Sequence, residues 1–225
     1  MRRLTLISLF LAALLSAVVA QERETDAGLL LSYEAQKELV KNMSLSLEEE
    51  VRLITNRIGF DRTVTTAGLD YAFWDKRIKV GAAYAFIYLY NNDFLFEPRH
   101  RYYFNLAYRE TLGNFTLSWR GRVQGTYRNE NRGSYKINPK YIMKNKFEVE
   151  YSIWGKPWKP FVSCDLSTEL NDPTGNDLAR VRTEAGTTYR LNRTDYLTFF
   201  LRWDEYLADS DPRVLSAGVG YRMKF

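Results

Sequence analysis

The chain has 225 residues, 45% hydrophobic, 15% aromatic and 26% charged, with 32 basic against 27 acidic side chains. A net charge of +5 is too mild to argue for a nucleic-acid partner. The single cysteine, Cys164, excludes an intramolecular disulfide framework.

Arg2 and Arg3 open the chain, an apolar run fills 4–15, and Val18, Val19 and Ala20 precede Gln21. This is the pattern of a secretory signal cleaved between Ala20 and Gln21. A membrane-anchoring helix is the competing reading, but the apolar run falls short of the roughly 20 residues that span a bilayer. Residues 1–20 are therefore expected to be removed, leaving 21–225 with a net charge of +3 once Arg2 and Arg3 are gone. No further apolar run of helix length follows. The mature chain is either soluble or crosses a membrane as strands.

From residue 27 onward, alternating segments succeed one another: 27–39, 43–53, 62–73, 78–90, 99–110, 115–128, 141–153, 159–170, 180–191, 195–206 and 213–225. Each is long enough to cross hydrocarbon as a tilted strand, which needs roughly 9 to 11 residues. The first segment would also suit an amphipathic helix, through Leu29, Leu30, Tyr33 and Lys37. Alternation alone does not separate a membrane barrel from a soluble sandwich with a polar outside. The connections do more, because short and longer ones alternate along the chain, as in outer-membrane barrels with tight turns on one side and loops on the other. Aromatic residues gather near segment ends, at Trp74, Tyr88, Tyr90, Tyr102, Tyr103, Trp154 and Trp158, where rings suit a headgroup zone.

A barrel in a membrane must close, since an open strand edge would leave a row of unpaired N–H and C=O groups in hydrocarbon. The pattern predicts an all-β, transmembrane, antiparallel up-and-down barrel of 10 to 12 strands in 21–225. Ten strands from Met43 would close evenly, with 21–42 as an N-terminal extension. Twelve would require one more strand, and eleven would make an odd barrel.

In many of the segments one parity carries most of the charge. Glu48 and Glu50 come first, then Arg99, Arg101 and Arg109, followed by Arg120, Arg122 and Arg128. Glu148, Glu150 and Asp165 continue the series, then Arg180, Arg182, Glu184 and Arg190, and finally Arg202 and Asp204. An Arg or Lys turned to lipid at mid-bilayer costs roughly 2 to 4 kcal/mol, so these residues are expected to line the lumen. Opposite charges on neighbouring strands would knit a filled lumen; an arginine excess would line a porin-like passage favouring anions.

Catalytic chemistry finds little footing. A barrel hydrolase acting on lipid or lipopolysaccharide would want a nucleophile beside a histidine, yet His100, the only one, has Tyr at position 102 and shares the parity of Tyr102, Phe104 and Leu106. No catalytic, cofactor-binding or metal-binding residue is assigned. The oxygens of Asn171, Asp172, Thr174, Asn176 and Asp177 fit ordinary turn chemistry as well as calcium. Cys164 shares its parity with Val162 and Leu166 and is expected to face outward.

Three stretches, SLSLEEEVRL from Ser44, EPRHRYYFNLAYR from Glu97 and KFEVEYSIWGKPWKPFVSCDLSTELN from Lys146, resemble the small outer-membrane barrel family known as domain of unknown function 2490. The resemblance implies a Gram-negative outer-membrane barrel and no activity. The last strand, with Tyr221, Met223 and the terminal Phe225, is similar to the endings of outer-membrane barrels and implies a signal read by barrel assembly machinery. The expectation is a non-enzymatic outer-membrane protein, structural or passing small solutes, surrounded by outer-membrane lipid and lipopolysaccharide. A lipid-modifying enzyme and a soluble secreted ligand-binding barrel are the alternatives.

Overall fold

The computed structural model describes residues 25–55, 59–90, 96–128, 137–173, 175–207 and 212–225. The expected signal and its cleavage point at Ala20 and Gln21 lie outside the described residues. Every alternating segment is a strand and no described residue is helical. In chain order these are β1 (Thr25–Val40), β2 (Met43–Ile54), β3 (Arg62–Phe73), β4 (Ile78–Tyr90), β5 (Phe96–Leu112), β6 (Phe115–Arg128), β7 (Lys140–Tyr151), β8 (Trp158–Glu169), β9 (Leu178–Arg190), β10 (Asp195–Tyr206) and β11 (Arg213–Lys224).

The eleven strands form one closed barrel in sequence order, with β1 between β2 and β11. Neighbours from β1 to β11 pair antiparallel, but the closing seam, β1 with β11, is parallel. The expectation of a wholly antiparallel barrel is corrected there, for a simple reason. Strands that alternate direction around a ring return to the starting direction after an odd number, so one seam must be parallel. Segment 27–39 is thus a barrel strand, neither an extension nor a helix. Leu29, Leu31 and Tyr33 face outward, while Leu30, between them, is buried at 3% exposure.

The turns 41–42, 74–77, 113–114, 152–157 and 191–194 gather at one rim, called here the turn rim, together with Phe225. The strand ends that flank 55–61, 91–95, 129–139, 170–177 and 207–212 gather at the other, the loop rim. The contrast in length is weaker than expected, because β4 and β5 continue their pairing to Tyr90 and Phe96 and leave only 91–95 between them. Phe96 holds that extension from outside, stacking on Tyr88 at 4.8 Å with planes 3° apart. Gly113, with φ 62°, opens a two-residue turn at the position where a type II′ hairpin requires glycine.

The seam is fastened on both faces. Outside, Tyr33 and Tyr221 stack at 5.8 Å; inside, Arg222 Nε donates to Glu34 at 2.5 Å. At its turn-rim end, Phe225 N–H donates to Gln36 O at 2.9 Å and Glu38 N–H to Phe225 O at 3.2 Å. The last residue therefore extends the ladder.

Glycines near the seam receive an aromatic ring. A Cβ on Gly218 would fall 2.1 Å from Phe200 Cζ, and one on Gly186 would fall 2.7 Å from Phe200 Cβ. Phe200, inward on β10, fills the space that these two glycines leave on the neighbouring strands.

Candidate functional site

Strand pleating decides which side chains meet inside. Successive side chains point to opposite faces, so Arg180, Arg182 and Glu184 share one face of β9, and Arg202 and Asp204 share that face on β10. The register sets Glu184 opposite Arg202 and Arg182 opposite Asp204. Arg202 Nε donates to Glu184 Oε1 at 2.7 Å, and Arg182 Nε to Asp204 Oδ1 at 2.7 Å. Arg180 Nε lies 3.5 Å from the same Asp204 oxygen. From β7, Lys146 reaches Glu184 Oε2 at 3.2 Å and Glu148 at 3.0 Å.

Charge fills the lumen from rim to rim. At the loop rim Arg62 pairs with Asp61 at 2.7 Å and Arg99 with Glu97 at 2.8 Å, both acids being buried. Lys140 also pairs with Glu169 there. Lower down, Arg52 pairs with Glu50 at 2.6 Å and Lys159 with Glu150 at 3.1 Å. Glu48 lies opposite Glu34 across β1 and β2, an acidic pair that Arg222 serves from the Glu34 side.

Among the described residues, inner cavities lie between these pairs, and the larger ones are an upper and a lower one. The upper one, about 210 Å³, is lined by residues that include Arg101, Arg120, Arg122, Lys144 and Asp165; the lower one, about 290 Å³, by Glu34, Arg109, Glu148, Glu150 and Arg222 among others. They adjoin at Glu48, Glu50, Lys146, Glu184 and Arg202, which line both. The upper wall holds eight basic and four acidic side chains, and the lower wall four basic and six acidic. The upper cavity wall therefore carries an excess of basic side chains and the lower one an excess of acidic ones.

Of the residues assigned to the lumen, Glu48, Glu50, Arg101, Arg109, Arg120, Arg122, Glu148, Glu150, Asp165, Arg182, Glu184 and Arg202 line one or both inner cavities. Arg101 Nε donates to Thr126 Oγ1 at 3.0 Å and Arg122 Nε to Asn105 Oδ1 at 2.8 Å. Arg128 lies near the loop rim, where its backbone N–H donates to Asn138 Oδ1 at 3.0 Å. Arg109 and Arg190 are exposed near the turn rim. Asp165 is buried and accepts from Ser167 Oγ at 3.2 Å.

Other residues were placed differently by sequence or missed. Tyr103, assigned to the outer aromatic zone, is luminal and 8% exposed, with the Arg122 guanidinium 3.9 Å from its ring centroid. Its parity with Arg101 carried that signal. Arg52, Lys144 and Lys146 share parity with Glu50 and Glu148 and were equally legible. Asp61 and Glu97 fell in segments assigned to connections.

His100 faces outward. Its Nδ1 is 2.6 Å from Tyr84 Oη, and its ring lies 5.5 Å from Phe86. Cys164 lies opposite Phe147 in the pairing of β7 with β8 and is half-buried. Asn171 secures its loop, accepting from Tyr141 N–H and donating to Pro139 O, both at 2.8 Å.

The model of a protein family of unknown function, DUF2490, matches residues 27–211, which takes in nearly all of β1 through β10. No curated protein matches the chain.

Proposed function

The chain belongs to the DUF2490 family of proteins of unknown function, and from that premise we propose that it is an integral outer-membrane β-barrel, non-enzymatic, with a narrow charge-filled lumen. The observation that carries this reading is the outer surface. Phe104 is 70% exposed, Val162 60% and Leu201 59%, and every strand carries at least one exposed large apolar side chain. Soluble monomers rarely expose contiguous apolar patches beyond a few hundred Å². A belt of this kind calls for hydrocarbon around it, which makes outer-membrane lipid and lipopolysaccharide its surroundings. Phe225, continuing the seam ladder, is the residue expected to be read by barrel assembly machinery.

Inside, the ion pairs of Glu184 with Arg202 and Lys146 occupy the level where the two cavities adjoin. This supports a lumen closed at mid-height to all but water and small ions. The protein is expected to require detergent for extraction and to migrate differently on a gel before and after heating. In planar bilayers it should show little or no steady conductance. Recovery in the aqueous fraction without detergent would overturn the membrane reading, and a large, stable open-pore conductance would overturn the closed lumen.

A further inference from the structure

The upper cavity carries more positive charge than its own walls neutralise. Arg101, Arg120, Arg122 and Lys144 make no ion pair among the described residues, although all four line it. Of the four carboxylates in the same wall, Glu50 is held by Arg52 and Glu184 by Arg202 and Lys146. Glu48 and Asp165 remain to face the four cations. Among the described residues two further donors are buried without an acceptor, Nη2 of Arg182 and Nη1 of Arg202. Both residues line this cavity.

Buried donors and charges without partners are costly, and an anion in the cavity would relieve both deficits. The donors approach from several sides, Arg101 on β5, Arg120 and Arg122 on β6, Lys144 on β7, Arg182 on β9 and Arg202 on β10. A planar carboxylate offers acceptors in one plane, whereas a tetrahedral oxyanion offers them in every direction, and guanidinium forks match its edges. We infer that the upper luminal cavity is a binding site for a tetrahedral oxyanion, inorganic phosphate or a small phosphomonoester. Its volume of about 210 Å³ is below the roughly 300 to 1,000 Å³ of pockets for drug-sized ligands, which fits a small ion better than a large metabolite. Arg101 and Arg122 are positioned to receive it, each held by a neutral side chain, Thr126 and Asn105, that leaves the guanidinium charge uncompensated.

The inference rests on the inward charge of the barrel, and its test is separable from that of the membrane reading. The folded barrel in detergent micelles is titrated calorimetrically, in separate arms, with inorganic phosphate and with glycerol 3-phosphate, at constant ionic strength set by chloride. Saturable binding of either at one site per chain is expected, and the arm that binds identifies the source. The Arg101→Gln/Lys144→Met double variant should bind at least tenfold more weakly, and Arg190→Gln, at the turn rim, should bind as the wild type does. Thermal unfolding supplies a second readout, because a ligand that binds only the folded state raises Tm. Phosphate should raise the Tm of the wild type and of Arg190→Gln but not of the double variant. Should that variant fail to fold, Lys144→Met alone is expected to show weakened binding. Absence of saturable binding to the wild type in both arms, or unchanged affinity in a folded Lys144→Met or double variant, would overturn the inference. A barrel that binds phosphate yet needs no detergent would sink the membrane reading alone.

Discussion

At Gly218 the chain has no room for a side chain, because the Phe200 ring occupies the position its Cβ would take, 2.1 Å away. Overpacking of this kind typically costs about 1 to 3 kcal/mol, so Gly218→Ala is expected to lower stability by that amount in a urea titration of the folded barrel. Residues in direct contact do not add independently. In a Phe200→Ala background the same substitution should therefore cost far less. The inward direction of Phe200 was legible from parity, but its partner was not, since a glycine looks alike whether it is empty or covered. The lumen set shows the same division. Arg182, Glu184, Arg202 and Asp204 could be placed on the inner face by counting residues, whereas the pairing of Arg202 with Glu184 depends on the register between β9 and β10. Tyr103 was misplaced because an aromatic residue beside another, Tyr102, suits an outer girdle and a luminal cation–π contact alike.

A strand of this barrel is a boundary between two environments, and β10 shows it within a few residues. Leu201 projects outward at 59% exposure, while Thr198 and Phe200 line the lower cavity. If the belt lies in hydrocarbon, Leu201→Arg should cost roughly 2 to 4 kcal/mol near the bilayer midplane. Thr198→Lys, turned toward the acidic lower wall, should cost less. Folding into lipid vesicles, scored by heat-modifiable migration, measures both; equal tolerance of the two would contradict an apolar setting for the outer face. Ten of the strands could be read from their alternation, with ends displaced by a few residues where cross-strand rings prolong the ladder, as Phe96 does with Tyr88. The first segment was ambiguous because Leu29 and Leu30 are adjacent. A helix could place both on one face, while the strand sends Leu29 outward and Leu30 in.

For the whole molecule, the eleven strands fall within the expected 10 to 12, and the parallel closing seam is the feature that alternation alone does not reveal. Alternation marks eleven segments, and ten, eleven and twelve strands are all compatible with it until the ends of the sheet are seen to meet. Closure through a parallel seam is a long-range property, joining Thr25 to Arg213 and Gln36 to Lys224, and no local pattern encodes it. The seam also fixes where β1 begins. Thr25 pairs with Arg213 at the loop rim, and Phe225 lies at the opposite rim. In a Cys164→Ser background, a cysteine introduced at Thr25 should react with a membrane-impermeant maleimide on intact cells, and one at Asp75, in a turn, should not. The reverse pattern would invert the orientation, and labelling of both would argue against a sealed envelope location. If the barrel sits in a membrane with Phe225 on the inner side, the parallel run of β1 and β11 requires the leading end of the chain to travel the full height of the cylinder before the ring can shut. A passenger domain fused ahead of Thr25 would have to make that journey too, and would either jam biogenesis or end up displayed to the outside world.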